Sequence, residues 1–130
     1  MIKLILPLPC AINRMYRAIP FFAHGGKARY CRQVLSREAR IRRDALVAEI
    51  WKQLGGRPEP ITGQVQVQYL IVPASKRTPD VDAYEKHLLD SLTHAGIWRD
   101  DRQVVAVHKE RAQTPAMPGR VEVEIWELES

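Results

Sequence analysis

The sequence predicts an α/β (α+β) fold, a small mixed β-sheet with two helices on one face in the order β-α-β-α-β-β. Two stretches, 37–54 and about 82–95, carry apolar residues at helical spacing between marked ends. Four other stretches are short apolar or period-two runs bounded by proline and glycine, as strands are. The chain has 130 residues, 45% hydrophobic and 27% charged, which fits one core and falls short of two ordinary domains, so 1–130 is read as a single domain.

The opening "IKLILPLP" reads as a strand stopped by Pro7 and Pro9. A long irregular loop follows, 10–33, mixing Gly25 and Gly26 with basic and aromatic residues. Ser36 is placed to cap the first helix, whose apolar stripe is Ala39, Leu46, Ile50 and Leu54 and whose end is marked by Gly55 and Gly56. In "GQVQVQYLIV", Val65, Val67 and Tyr69 alternate with glutamines, the pattern of a strand with one face on a core. The second helix buries Leu88, Leu89, Leu92 and Ala95 and stops at Gly96. "RQVVAVHKERAQ" and "RVEVEIWEL" are the last two strands, and the prolines and glycine of "TPAMPG" between them suit a hairpin connection.

Lys and Arg total 20 against 15 Asp and Glu, a formal charge of +5 with pI near 9.5, which favours a polyanionic partner. The two cysteines, Cys10 and Cys31, are too few to close a zinc site. With no signal-peptide pattern at the start they are expected to be reduced and the chain cytoplasmic. No apolar run approaches the ~20 residues of a membrane span.

Against this basic background, "TPDVDAYEKHLLD" gathers acids. Steps of four residues place Asp82, Lys86 and Asp90 on one polar ridge opposite the leucines, with Asp80 just outside the helix. Asp100 and Asp101 stand at the mouth of the next strand, from which Asp101 can approach the start of that helix. Piece by piece these are also ordinary features: Asp82 as a helix cap, i,i+4 ion pairs, and a two-aspartate turn. Taken together, carboxylates alone are the ligands of a hard divalent ion such as Mg²⁺, which keeps its other positions for water and phosphate. Lys86 beside them suits charge developing on a transferring phosphate. The residues alone therefore leave two readings, a metal-dependent phosphodiester hydrolase and a non-catalytic basic DNA-binding module.

The string "DVDAYEKHLLDSLTHAGIWRDDRQV" resembles the RusA family of Holliday junction resolvases, with its Asp-x-Asp pair, a lysine four residues on, a helix ending in Ala-Gly, and Asp-Asp-x-Gln before a strand. "LPLPCAINRMY" is similar to the family's N-terminal strand, proline-rich turn and Asn-x-x-Tyr stretch. The resemblance implies a RusA-like fold, with Asp80, Asp82 and Asp101 as metal-binding and catalytic acids, Lys86 as the catalytic lysine and Asp90 as an additional acid. It also implies Mg²⁺ (Mn²⁺ substituting), a homodimer, and paired nicks in four-way junction DNA during recombination and repair. Ala83 stands where family members commonly carry Asn.

Asn13, Arg14, Lys27, Arg29, Lys76 and Arg77 are the candidate DNA contacts, with Arg17 and Arg32 in the same loop, and solvated surface charge is the competing account of each. Tyr16, Phe21 and Phe22 are placed either to wedge between bases or to fill a core or interface. The first helix's Arg37, Arg40, Arg42 and Arg43 have no assigned role. His87 and His94 are expected at the surface, and Trp51, Trp98 and Trp126 in a core or interface.

Overall fold

The computed structural model describes residues 1–22, 28–76 and 80–128, and for 19–22 and 28–32 the backbone alone. Its elements are β1 (Ile2–Leu6), α1 (Ile12–Met15), β2 (Tyr16–Phe22), β3 (Ala28–Leu35), α2 (Arg37–Leu54), β4 (Val65–Val72), a 3-10 turn (Val81–Tyr84), α3 (Glu85–His94), a second 3-10 turn (Asp101–Gln103), β5 (Val104–Arg111) and β6 (Arg120–Glu127). The main sheet runs β1-β6-β4-β5. β4 pairs parallel with β5 and antiparallel with β6, and β6 pairs antiparallel with β1. The mixed sheet expected from the sequence is therefore present.

Period-two patterning sets the sheet's buried face. Val65, Val67, Tyr69 and Ile71 of β4, Val121, Val123 and Ile125 of β6, and Leu4 and Leu6 of β1 are all buried. They meet Leu46 and Ile50 of α2 and Leu88 and Leu92 of α3, with Ile97 and Trp98 closing the same cluster. Trp98 is thus a core residue, while Trp51 is partly buried against the core and its indole donates to Ala95 O at 2.8 Å.

Both long helices end as their sequences direct. Ser36 Oγ accepts from Ala39 N–H at 3.1 Å, and Gly55 adopts a left-handed φ of 80°. After α3, Gly96 N–H bonds Thr93 O and Ile97 N–H bonds Leu92 O, the paired arrangement of a Schellman stop, with Gly96 at φ 90°.

Two expectations need correction. The stretch 10–33 is not an irregular loop throughout: it holds α1 and most of the antiparallel pair β2–β3, a sheet of its own with a register shift at Phe21/Phe22. Met15, Cys10 and Ala39 form a small separate core beneath it, packed by Leu35. The segment "TPAMPG" does not close a hairpin, because β5 and β6 lie on opposite sides of β4. It crosses the end of β4 instead, tied there by Ala116 N–H to Pro73 O at 2.9 Å. Gly119 has φ 84° in this crossing, and a Cβ there would stand 2.8 Å from Leu8 Cδ1 and 3.0 Å from Ala74 N.

His87 is also corrected, for it is 1% exposed. Its Nδ1 accepts from Cys10 N–H at 3.0 Å and its Nε2 donates to Ala39 O at 2.8 Å. An obligate donor faces one ring nitrogen and an obligate acceptor the other, which requires the neutral ring with its proton on Nε2. The ring thereby ties α3 to α2 and to the segment after β1. His94 is exposed, as expected.

Burial holds the His87 pKa below its ordinary value of 6.5. The unfolded chain therefore takes up a proton that the folded one resists, so this contribution to stability is present above that value and is lost as pH falls below it. The urea midpoint should fall on going from about pH 7.5 to about pH 5.5, and fall less in His87→Gln, whose amide stays neutral. Equal slopes in the two proteins would remove His87 as the source.

Candidate active site

Asp80 precedes the first 3-10 turn in an extended conformation, and its carbonyl accepts from Ala83 N–H at 2.9 Å. Its carboxylate makes no capping bond and is exposed. Asp82 lies inside the turn, so it is not the cap that its sequence position permits. Its Oδ1 is 2.7 Å from Lys109 Nζ, which also lies 2.9 Å from Glu85 Oε1. Lys109 belongs to β5 in register with Tyr69 of β4, so it faces the helices. Hydrogen bonds that its ammonium donates to Asp82 and Glu85 hold its pKa well above the ordinary lysine value. Burial, followed by the Glu85 charge, pushes the Tyr69 phenol up as well.

One turn along the ridge, Lys86 Nζ is 3.2 Å from Asp90 Oδ1. The Asp90 hydrogen bond raises the Lys86 pKa, opposed by burial and reinforced by the charges of Asp90, Tyr16 and Asp101. Asp101 thus comes within electrostatic reach of Lys86 from a different segment. A cleft of about 370 Å³ brings Asp90, Asp100 and Asp101 together with Arg43, His94 and Arg99. Asp101 therefore meets the second half of α3 and the middle of the ridge, while Asp80 and Asp82 stand at the helix entrance. Among the described residues, no three of His, Cys, Asp and Glu come together as a metal-holding group.

The position of Asp101 is fixed by Gln103. Its Oε1 accepts from Arg99 N–H at 2.9 Å and Asp100 N–H at 3.1 Å, and its Nε2 donates to Ile61 O at 2.7 Å and Gly63 O at 2.9 Å. Asp100 completes the cap by accepting from Arg102 N–H at 2.9 Å, and that bond lowers its pKa. The two-aspartate segment is thus a capping box in which Asp100 makes the turn and Asp101, hydrogen-bonded to the Asp100 side chain, stays exposed.

The family model for endodeoxyribonuclease RusA matches residues 20–126 of this chain. The chain belongs to the RusA family. RusA nucleases resolve Holliday junctions, and both the Asp80-to-Lys86 segment and the Asp100–Gln103 turn lie within the matched range. No curated protein matches the chain. No helix among its described residues is long and apolar enough to cross a membrane.

The candidate DNA contacts of this RusA chain fall in two places. Asn13 and Arg14 of α1 are exposed and line a cleft with Arg42 and Glu38, where Glu38 Oε1 is 3.9 Å from Arg14 and 3.3 Å from Arg42. Lys76 is exposed and shares another cleft with Arg111 of β5. Lys27 and Arg77 lie outside the described residues, as do the side chains of Arg29 and Arg32. Tyr16 is 38% exposed and starts β2, close enough to Lys86 to be felt by its charge.

Sequence reasoning did not single out Lys109, Glu85, Arg111 or the bonding role of Gln103. A signal existed for Lys109, since β5 places it on the side of Val107 and a cation there breaks an inward-facing apolar row. Replacing Gln103 with Glu keeps an acceptor for Arg99 and Asp100 but removes both bonds to Ile61 and Gly63. That change should cost about 1–3 kcal/mol, read as a lower denaturant midpoint, and should slow junction cleavage by releasing Asp101. Unchanged stability and cleavage would show that the turn holds without it.

Proposed function

We propose that this RusA-family chain is a Mg²⁺-dependent endodeoxyribonuclease that resolves four-way junctions by paired symmetric nicks in recombination and repair, working in the cytoplasm as a homodimer. The observation that carries the reading is the gathering of acids along one crossover: Asp82 in the turn before α3, paired with Lys109, then Lys86 paired with Asp90 on α3, with the charge of Asp101 reaching Lys86 from another segment. The donor set is oxygen only, which suits a hard divalent ion, and the Asp82 carboxylate already faces a cation at 2.7 Å. By the family resemblance Asp80, Asp82 and Asp101 would hold the ion, and to do so Asp101 would have to close on the helix entrance, since the three are not gathered as one group in this structure. When bound, the ion polarises the scissile phosphate and supplies an activated water.

The chain's own residues do the rest. A DNA phosphate lying along the ridge passes Lys86, whose ammonium donates to a non-bridging oxygen and offsets the charge that grows there. Asp90 keeps that ammonium charged and aimed. Gln103 holds the Asp101 turn against the loop before β4. Lys76 and Arg111, with Arg77 next in sequence, suit phosphates that flank the cut. Two sites related by a two-fold axis match the two symmetric nicks of a junction.

The second reading is a basic module that binds junctions without cutting them, using the same cations. A synthetic four-way junction titrated with Mg²⁺ separates the two: paired nicks support the nuclease, and tight binding with no cleavage supports the module. Asp82→Asn and Asp101→Asn should each lose cleavage by roughly a hundredfold or more while keeping junction affinity, since they remove ligand charge rather than DNA contacts. Full cutting by either variant would count against the assignment. Lys76→Ala with Arg111→Ala should weaken binding at every salt concentration and reduce the log–log salt slope by about 0.9 per lost phosphate contact. An unchanged slope would exclude that pair from the DNA path.

A further inference from the structure

Lys109 differs from an ordinary surface lysine in where it sits. It projects from β5 toward the helices, beside the buried Tyr69, and its side chain is 30% exposed against 72% for Asp82. Its ammonium lies between two acids of neighbouring turns, 2.7 Å from Asp82 and 2.9 Å from Glu85. Those carboxylates are three residues apart in the chain, a spacing at which like charges on a helical turn face each other and repel. Lys86, the other lysine of the ridge, is engaged by Asp90, so the Asp82 carboxylate meets its positive charge in Lys109.

We propose that Lys109 is an internal stand-in for the divalent ion, a positioning residue that holds the Asp82 carboxylate while no metal is bound and yields it when metal arrives. The inference rests on the reading of Asp82 as a metal ligand. Glu85 makes the exchange feasible, because Lys109 keeps that partner and is not left unpaired beside the core when Asp82 turns away. Metal binding is then a competition between two cations for one carboxylate. The site is weakened for free metal, which favours ions arriving together with a phosphate that adds ligands of its own. Lys109 touches neither substrate nor reacting atoms, and its effect passes through Asp82.

The test is calorimetric titration of the full chain with Mn²⁺, without DNA, so that affinity is read independently of cleavage. Lys109→Gln should bind Mn²⁺ roughly fivefold more tightly, a gain suited to losing a partly exposed ion pair. Lys109→Arg, which keeps charge and contact, should stay near the wild-type affinity and guards against a folding defect in the neutral variant. Glu85→Gln should weaken Mn²⁺ binding in the wild-type background, because Lys109 then depends on Asp82 alone, and should do so far less once Lys109 is Gln. Equal or weaker binding by Lys109→Gln overturns the proposal, as do strictly additive effects of the two substitutions, which mark simple action of charge at a distance. Asp82→Asn reports on the underlying reading: unchanged Mn²⁺ affinity there removes Asp82 as a ligand. Loss of affinity there with no gain in Lys109→Gln defeats the stand-in role alone.

Discussion

A parallel pair of strands cannot be joined by a tight turn, and the parallel pairing of β4 with β5 is the constraint from which the site follows. The chain must leave the end of β4, cross the sheet and return to the start of β5. It does so through α3. The crossover has an entrance and an exit, and the acids stand at both: Asp80 and Asp82 as the chain enters, Asp100 and Asp101 as it leaves. The ridge of α3 then joins the two ends, with Lys86 and Asp90 between them. The apolar stripe on the opposite side of the same helix, Leu88 and Leu92, fixes how that ridge faces outward.

Electrostatics decides how so many carboxylates coexist. Asp90 and Asp82 each face a lysine ammonium, and the two lysines come from different elements. Such half-exposed pairs contribute on the order of 0–1 kcal/mol each, so their importance lies in placement rather than in stability. Stability comes from the dry cluster under the sheet and from polar groups with complete partners. Gln103 is one of these, with four bonds to the backbone of two loops. His87 is another, its two ring nitrogens both satisfied at nearly full burial. These two side chains set the location of Asp101 and of α3, and hence of the ridge.

Much of the main sheet was legible because its signals are local. Ser36, Gly55 and Gly96 mark helix ends by their own hydrogen bonding and φ preferences, and the alternation of Val65, Val67 and Tyr69 follows from the pleat. The β2–β3 pair was not legible. Its strands carry Pro20 and a register shift, and they cover a core of only a few residues, so no period-two run of apolar residues marks them. The partner of β5 was hidden for another reason: the turn residues of "TPAMPG" describe a bend in the chain and do not say which strand lies next to which. The acids at the helix entrance and the two-aspartate turn were readable as a motif. The cations that answer them were not, because Lys109 reaches Asp82 across 27 positions of sequence, through a strand register that only the folded chain defines.

The β2–β3 pair rests on a foundation of its own. Met15, Cys10 and Ala39 form a cluster separate from the one beneath the main sheet, and Leu35 at the end of β3 packs on that cluster. Yet this small cluster is not independent of the acids, because Met15 and Leu35 line the cleft that holds Asp90 and Asp101, and His87 of α3 bonds Cys10 N–H and Ala39 O. Substitutions that share contacts couple instead of simply adding. A change at the root of the ribbon is therefore felt in the wall of the acidic cleft.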